Sequence, residues 1–393
     1  MEVFKLNPRT NLRRLMEKIG VDPGGIGIMA QKELGNLFFI EALPCGGANI
    51  LKQDALSIGA ELAVPRGTPN CSRKVVDALL MATTQQLRQL VKKEKTQPFQ
   101  LKELAKKLES FLNPPKFPLQ LMGVINANDD SFFSGSRFKG EEAVKKIEEM
   151  IEEGADIIDL GGVSSRPGSK YPGEEVELER VKPILDAIYQ NKLYEKVKFS
   201  LDTFSPKVLQ YGLERGVTIA NDITGGESGE YLQLVAEYGA QLVIMHKKGD
   251  PETMQKNPYY RNVILEVDHF FRERIARATQ MGVKEIILDV GIGFGKRLVD
   301  NMLLLRHLNH FTHFGYPLLV GASRKSLIAG AMEELGKNSP PPEERLPGSL
   351  ILHREAVENG ASIIRCHDVK EHYQGLKVAE VMEEMETGWE LST

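Results

Sequence analysis

From Leu119 onward, short apolar runs alternate with amphipathic helical stretches, and this alternation constrains the fold more than any other feature of the chain. The runs are Leu119–Ile125, Ala155–Leu160, Val197–Leu201, Thr218–Ala220, Gln241–Met245, Glu285–Leu288, Pro317–Ala322 and Ala361–Cys366. Between them lie helical patterns such as Glu141–Glu153, Glu174–Tyr189, Pro206–Arg215 and Val263–Met281. Eight apolar strands separated by helices predict a parallel α/β architecture, and a (β/α)8 TIM barrel requires this count. A doubly wound open sheet is the alternative. It would carry a glycine-rich phosphate fingerprint after its first strand, and none stands there.

The segment before Leu119 has a different period. Ile26–Ala30, Leu37–Leu43, Glu61–Val64 and Val75–Thr83 read as strands, and Ala48–Ile58 is amphipathic. Two polar helices follow, from Thr84 to about Lys95 and from Pro98 to Leu112, before Asn113, Pro114, Pro115 and Pro118 break the helix. We therefore expect a small α+β domain over residues 1–113 and the barrel over 114–393. The lysines of the two helices, such as Lys92, Lys93, Lys106 and Lys107, are interleaved with glutamates, as on a solvated helical face. A formal net charge of -4 gives no global pull on nucleic acid. The chain opens without an apolar signal core and contains no run long enough to span a bilayer. Cys45, Cys71 and Cys366 are widely spaced, which argues against a disulfide framework or a cysteine zinc site. These features lead us to expect a soluble cytoplasmic protein.

Polar residues stand at the carboxyl end of nearly every strand-like run, where parallel barrels place their chemistry. Asp202, Asn221, Asp289 and Lys325 supply acceptors, donors and one cation suited to the edge of a flat heterocycle. Phe294 could cover a ring face, and Gly321 lets a group approach the backbone closely. Asn126, Ser164, Ser165, Arg166, Arg365 and His367 are donors and cations suited to phosphate oxygens. Asp222 and Asp368 read as helix or turn caps. Gly293 and Gly295 of GIGFGK read as a tight turn, and the lysine that follows, Lys296, is expected to face solvent.

Taken in order, MGVINANDDSFFSG, DIIDLGGVSSRPGS, FSLDTF, IANDITGG, VIMHKKGDPETMQ, LDVGIGFGK, VGASRKS and IIRCHDV resemble the successive motifs of the dihydropteroate synthase family. The resemblance runs from about Leu119 to Val381. It implies a pterin-binding barrel that joins 6-hydroxymethyl-7,8-dihydropterin pyrophosphate to p-aminobenzoate and releases pyrophosphate. By the same resemblance Asp202, Asn221, Asp289 and Lys325 hold the pterin, and Met245 and Phe294 line its pocket. Arg365, His367, Asn126 and Arg166 take the pyrophosphate, Asn126 also faces a magnesium ion, and Ser326 lies near the acceptor amine. Homodimers and sulfonamide sensitivity are further implied. Asn128, Asp129, Ser134, Val163, Ser165 and Val290 depart from the family pattern, mostly in the loops after the first two barrel strands. Two rivals stay open: a related barrel transferring a methyl group from a reduced folate to a corrinoid, and a non-catalytic pterin-binding protein.

Overall fold

The computed structural model describes residues 13, 17, 23–29, 35–127, 141–163, 169–249, 254 and 256–384. The chain divides into two compact units, one of residues 1–114 with 378–393 and the other of residues 115–377.

In the first unit, α1 (Pro23–Met29) is followed by β1 (Gly35–Pro44), α2 (Cys45–Ser57), β2 (Glu61–Ala63), β3 (Val75–Thr83), α3 (Thr84–Glu94) and α4 (Leu101–Ser110). The sheet is antiparallel in the order β1-β3-β2. Alternation along β3 buries Val76, Ala78, Leu80 and Ala82 against Leu51, Leu87 and Leu101 of the helices. Thr83 and Gln86 start α3 with a reciprocal capping box, each side chain bonding the other's backbone N–H.

Two expectations fail in this unit. Ile26–Ala30 is not a strand: residues 23–29 are helical, opened by Pro23 where its missing N–H costs nothing. A short apolar run fits either state, and no strand pairs with this one among the described residues. The second failure concerns Cys45 and Cys71, which are disulfide-bonded with their Cα atoms 5.6 Å apart. Their separation of 26 residues gave no hint of it, because the hairpin-like return of the chain through β2 brings the start of α2 beside the turn at Thr68–Asn70. The cytoplasmic expectation thereby loses its support from the cysteines.

The second unit is a closed parallel barrel in the order β10-β11-β4-β5-β6-β7-β8-β9. Its strands are β4 (Gln120–Asn126), β5 (Ile157–Gly161), β6 (Lys198–Asp202), β7 (Val217–Asp222), β8 (Gln241–Met245), β9 (Glu285–Asp289), β10 (Leu318–Val320) and β11 (Ile363–Cys366). The helices between and after them are α5 (Glu141–Glu152), α6 (Glu174–Gln190), α7 (Pro206–Leu213), α8 (Gly229–Tyr238), α9 (Val263–Gln280), α10 (Leu298–Arg306), α11 (Ser326–Glu334), α12 (Leu346–Glu358) and α13 (Val369–Glu384), of which residues 369–377 belong to this unit. Ser205, Ser228 and Asn262 cap α7, α8 and α9 with side-chain oxygens. No described helix is long and apolar enough to cross a membrane.

Seven side chains, Met122, Ile157, Ile219, Val243, Ile287, Leu319 and Ile363, meet in one apolar layer inside the barrel. Side chains two positions further along a strand face the same way. Two positions beyond this layer stand four polar residues, Asp159, Asn221, Asp289 and Arg365, together with Val124, Met245 and Gly321. The strand period therefore stacks a polar layer directly on an apolar plug.

Candidate active site

Arg365 is the centre of that polar layer. From β11 its Nε donates to Asp159 Oδ2 at 2.6 Å and its Nη2 to Asp202 Oδ2 at 3.1 Å. Burial alone would lower the guanidinium's pKa. Asp159 and Asp202 more than offset that and hold it charged. Asn221, 5 % exposed, donates its Nδ2 to both oxygens of Asp159 at 3.3 Å. Asp202 shares the one guanidinium with Asp159, and burial raises its pKa.

Asp289 and Lys325 make the second charged group. Asp289 accepts from the Gly291 N–H at 2.7 Å, and burial raises its pKa against the pull of Lys325. Lys325 Nζ donates to the Ile292 carbonyl and lies 4.6 Å from the centroid of the Phe294 ring, a cation–π contact. Burial lowers this lysine to about 8, Asp289 opposing. Met245 closes β8 and is buried, whereas Ser326 opens α11 and is exposed.

Asn126 ends β4 half-buried, paired in register with Gly161, which in turn pairs with Asp202. His367 follows β11. Its backbone N–H donates to Ser323 Oγ at 3.3 Å, and the same hydroxyl lies 2.9 Å from His367 Nδ1. Burial, with Arg365 nearby, lowers the His367 imidazole to about 4. Gly321 lies against the Arg365 side chain: an added Cβ would sit 3.5 Å from Arg365 Cβ. Ser164, Ser165 and Arg166 fall outside the described residues, as do Asn128, Asp129 and Ser134.

The structure corrects one placement and adds one residue. Lys296 does not face solvent. It is 3 % exposed, and its Nζ donates to the carbonyls of His246, Gly291 and Phe294 at 3.1, 2.8 and 3.1 Å. Burial lowers it to about 7. The cause is the turn: Gly291, Gly293 and Gly295 all take positive φ and wrap carbonyls around the ammonium. A Cβ on Gly291 would meet the His246 carbonyl oxygen at 1.9 Å and one on Gly295 the Lys248 carbonyl oxygen at 2.1 Å, so glycine is required at both. The added residue is Asp159, which the sequence places at the end of the second run without a binding role; it is fully buried and bonded by both Arg365 and Asn221. The signal was a lone carboxylate inside the apolar run IIDLG, on the inward phase of its strand.

Asp222 accepts from Thr224 and Gly226 backbone N–H groups and serves its own turn. Asp368 pairs with Arg324 through both oxygens. Away from the mouth, Asp268 Oδ1 receives His310 Nε2 at 3.1 Å and His313 Nε2 at 2.8 Å, a grouping compact enough for a metal ion. Arg272 already grips both oxygens of that carboxylate, so the cluster is a hydrogen-bond hub with its cation in place.

Comparison with known proteins gives this arrangement a family. A family model for pterin binding enzymes matches residues 122–367. The Helicobacter pylori bifunctional dihydropteroate synthase/dihydropteroate reductase is 39 % identical over 388 residues, 98 % of this chain and all of that protein. The chain belongs to the dihydropteroate synthase family. The Escherichia coli dihydropteroate synthase is 43 % identical over 263 residues, covering 66 % of this chain and 90 % of that one. Among solved structures, Yersinia pestis dihydropteroate synthase in complex with a sulfonamide drug superposes with a TM-score of 0.64 at 35 % identity. That match covers 68 % of this chain and 95 % of the other. The Thermus thermophilus dihydropteroate synthase in complex with 6HMPPP gives 0.57 at 36 % identity, covering 67 % and 94 %. The (β/α)8 barrel expected from the alternating runs is thus the barrel of this family, and membership makes the chain a transferase of folate biosynthesis.

Proposed function

We propose that the barrel condenses 6-hydroxymethyl-7,8-dihydropterin pyrophosphate with p-aminobenzoate, giving 7,8-dihydropteroate and pyrophosphate. The observation that carries this is the cluster of buried Asp159, Asn221 and Asp289 with half-buried Asp202, Lys325 and Arg365 on top of the plug. A pterin presents an amino-amide edge that donates to carboxylates and a ring carbonyl that accepts from Lys325. Arg365 and His367 face the departing pyrophosphate, with Arg166, Ser164 and Ser165 assigned to the same side from sequence. The methylene C–O bond breaks, the C–N bond to the aromatic amine forms, and the amine gives up one proton to solvent or pyrophosphate. Donors fixed before the reaction stabilise the charge that develops on the leaving oxygen. This family assignment favours pyrophosphate displacement over the methyl-transfer alternative.

The residues fit a magnesium ion carried mainly by the substrate. Asn126 offers a hard amide oxygen, while Asp159 and Asp202 are taken by Arg365, so pyrophosphate oxygens would supply most of the coordination. Bound there, the ion neutralises charge on the leaving group. Pyrophosphate release that requires both substrates and magnesium, with dihydropteroate identified by mass, is the expected result. Pterin binding without release would leave a binding protein instead.

A second reading rests on the whole-length match to the bifunctional relative. We infer that the chain also reduces dihydropteroate by hydride transfer from a reduced nicotinamide or flavin. Oxidation of the donor on adding dihydropteroate tests it, and an unchanged donor absorbance rejects it.

We further propose a homodimer. Val299 and Leu303 of α10, Met332 of α11 and Ile351 of α12 are exposed apolar residues on neighbouring helices. Sedimentation should show a dimer that Ile351→Glu converts to monomer. A monomer in the unsubstituted chain would reject this surface as the interface.

A further inference from the structure

Behind the Lys325 turn lie two histidines that the chemistry above does not use. His353 of α12 and His372 of α13 are both 0 % exposed. The Ala322 N–H donates to His353 Nε2 at 2.8 Å. A backbone amide can only donate, so His353 Nε2 is the acceptor and the ring's proton is on Nδ1. That Nδ1 lies 2.8 Å from His372 Nε2, which must therefore accept. The His372 proton is then on Nδ1, 2.6 Å from the Asp368 carbonyl oxygen, which can only accept. Three hydrogen bonds run in one direction from the end of β10 to the start of α13. Every ring nitrogen is satisfied, and both rings are neutral.

The segments joined in this way carry the site. Ala322 is followed by Ser323, Arg324 and Lys325, while Asp368 follows Arg365 and His367. Arg324 has φ 55°, an unfavourable conformation for a residue with a side chain, and its neighbours must impose it. Its N–H is held by Ser349 Oγ at 2.8 Å, and its guanidinium is clamped on Asp368 at 2.6 and 2.9 Å. We propose that His353 and His372 are positioning residues: a relay of two neutral imidazoles that locks the 322–325 turn to the 367–368 segment and so fixes where Lys325 and His367 present their donors. The proposal deepens the function given above and rests on it.

A third proton cannot enter the relay without breaking it, because an N–H would then point at another N–H. The charged and titratable groups around His353 are His372 from α13, Lys325 from the turn and His367 after β11. Those around His372 are Asp368 and Glu371 from its own segment and Arg324 from the turn. Burial is the leading influence on both rings and keeps them neutral.

Two measurements on the full chain test this. The first is nitrogen-15 NMR of the imidazoles at neutral pH, which should show both His353 and His372 protonated on Nδ1 alone. An Nε2–H tautomer or an imidazolium at either position overturns the relay. The second compares His353→Leu with His353→Gln, whose carboxamide oxygen can still accept from Ala322. The leucine variant should lose roughly tenfold in hydrogen-exchange protection at the Ala322 amide, as expected for a buried donor left unpaired. It should raise KM for the pterin pyrophosphate by about the same factor, and glutamine should restore most of both. Lost protection with an unchanged KM would make the relay purely structural and reject positioning. Should the leucine variant fail to fold, the tautomers and the glutamine variant still decide. Should the unsubstituted chain release no pyrophosphate, the proposed reaction fails while the tautomer result stands.

Discussion

Replacing Arg365 with alanine is expected to be the most damaging single change in the barrel. The guanidinium is the only described cation bonded to Asp159 and Asp202, and its removal leaves two carboxylates facing each other, Asp159 fully buried and Asp202 largely so. Breaking a buried ion pair from one side costs about 3–5 kcal/mol, because the remaining charge is left uncompensated. Thermal unfolding should therefore shift down by many degrees. The variant should recover part of the loss on mild acidification, since protonating one carboxylate relieves the pair. Binding should suffer on both halves of the ligand. Bare hydroxymethyl pterin loses an ordered Asp202, and the pyrophosphate ester loses a cation as well. Reading Arg365 from sequence as a phosphate ligand alone predicts a loss confined to the ester. Equal melting temperatures for the two proteins would refute the structural role, and calorimetry with the two ligands separates the binding terms.

Lys325→Ala is the second. A lost charge-assisted hydrogen bond costs about 1.5–3 kcal/mol, roughly tenfold to a hundredfold in pterin affinity. The same residue gives the reaction a basic limit. Burial lowers the ammonium to about 8, so it is charged below that pH and loses its proton as pH rises through it. The kcat/KM of the unsubstituted chain, which reports free-enzyme ionisations, should fall above about 8. Lys325→Arg should abolish that fall while keeping the cation. A profile flat well beyond that point would remove Lys325 as the donor.

Much of this site was legible because the barrel's geometry is periodic. Once the eight runs are strands, their carboxyl ends meet in one mouth, and Asp202, Asn221, Asp289, Lys325 and Arg365 come together there. The residues that escaped notice belong to another class of information. Asp159 is visible as a polar residue near a strand end, but its bonds to Arg365 and Asn221 come from strands far away in sequence. Lys296 was read as a surface lysine because three carbonyls caging an ammonium depend on backbone torsions that a sequence does not display. The Cys45–Cys71 bond depends on how a sheet returns the chain, and spacing says little about that. Ile26–Ala30 was short enough to suit either periodicity.

The apolar layer of Met122, Ile157, Ile219, Val243, Ile287, Leu319 and Ile363 acts as a spacer as well as a core. Its thickness sets the height at which the ligand-binding floor rests. Asp159, Asn221, Asp289 and Arg365 each stand two strand positions beyond a residue of this layer, so a methylene added or removed below is transmitted upward with little loss. Ligand affinity in this barrel can therefore be retuned from beneath, by residues that no ligand ever touches. A change that loosens the floor for an inhibitor must also loosen it for the substrate. Selective discrimination between the two is thus left to residues outside this floor.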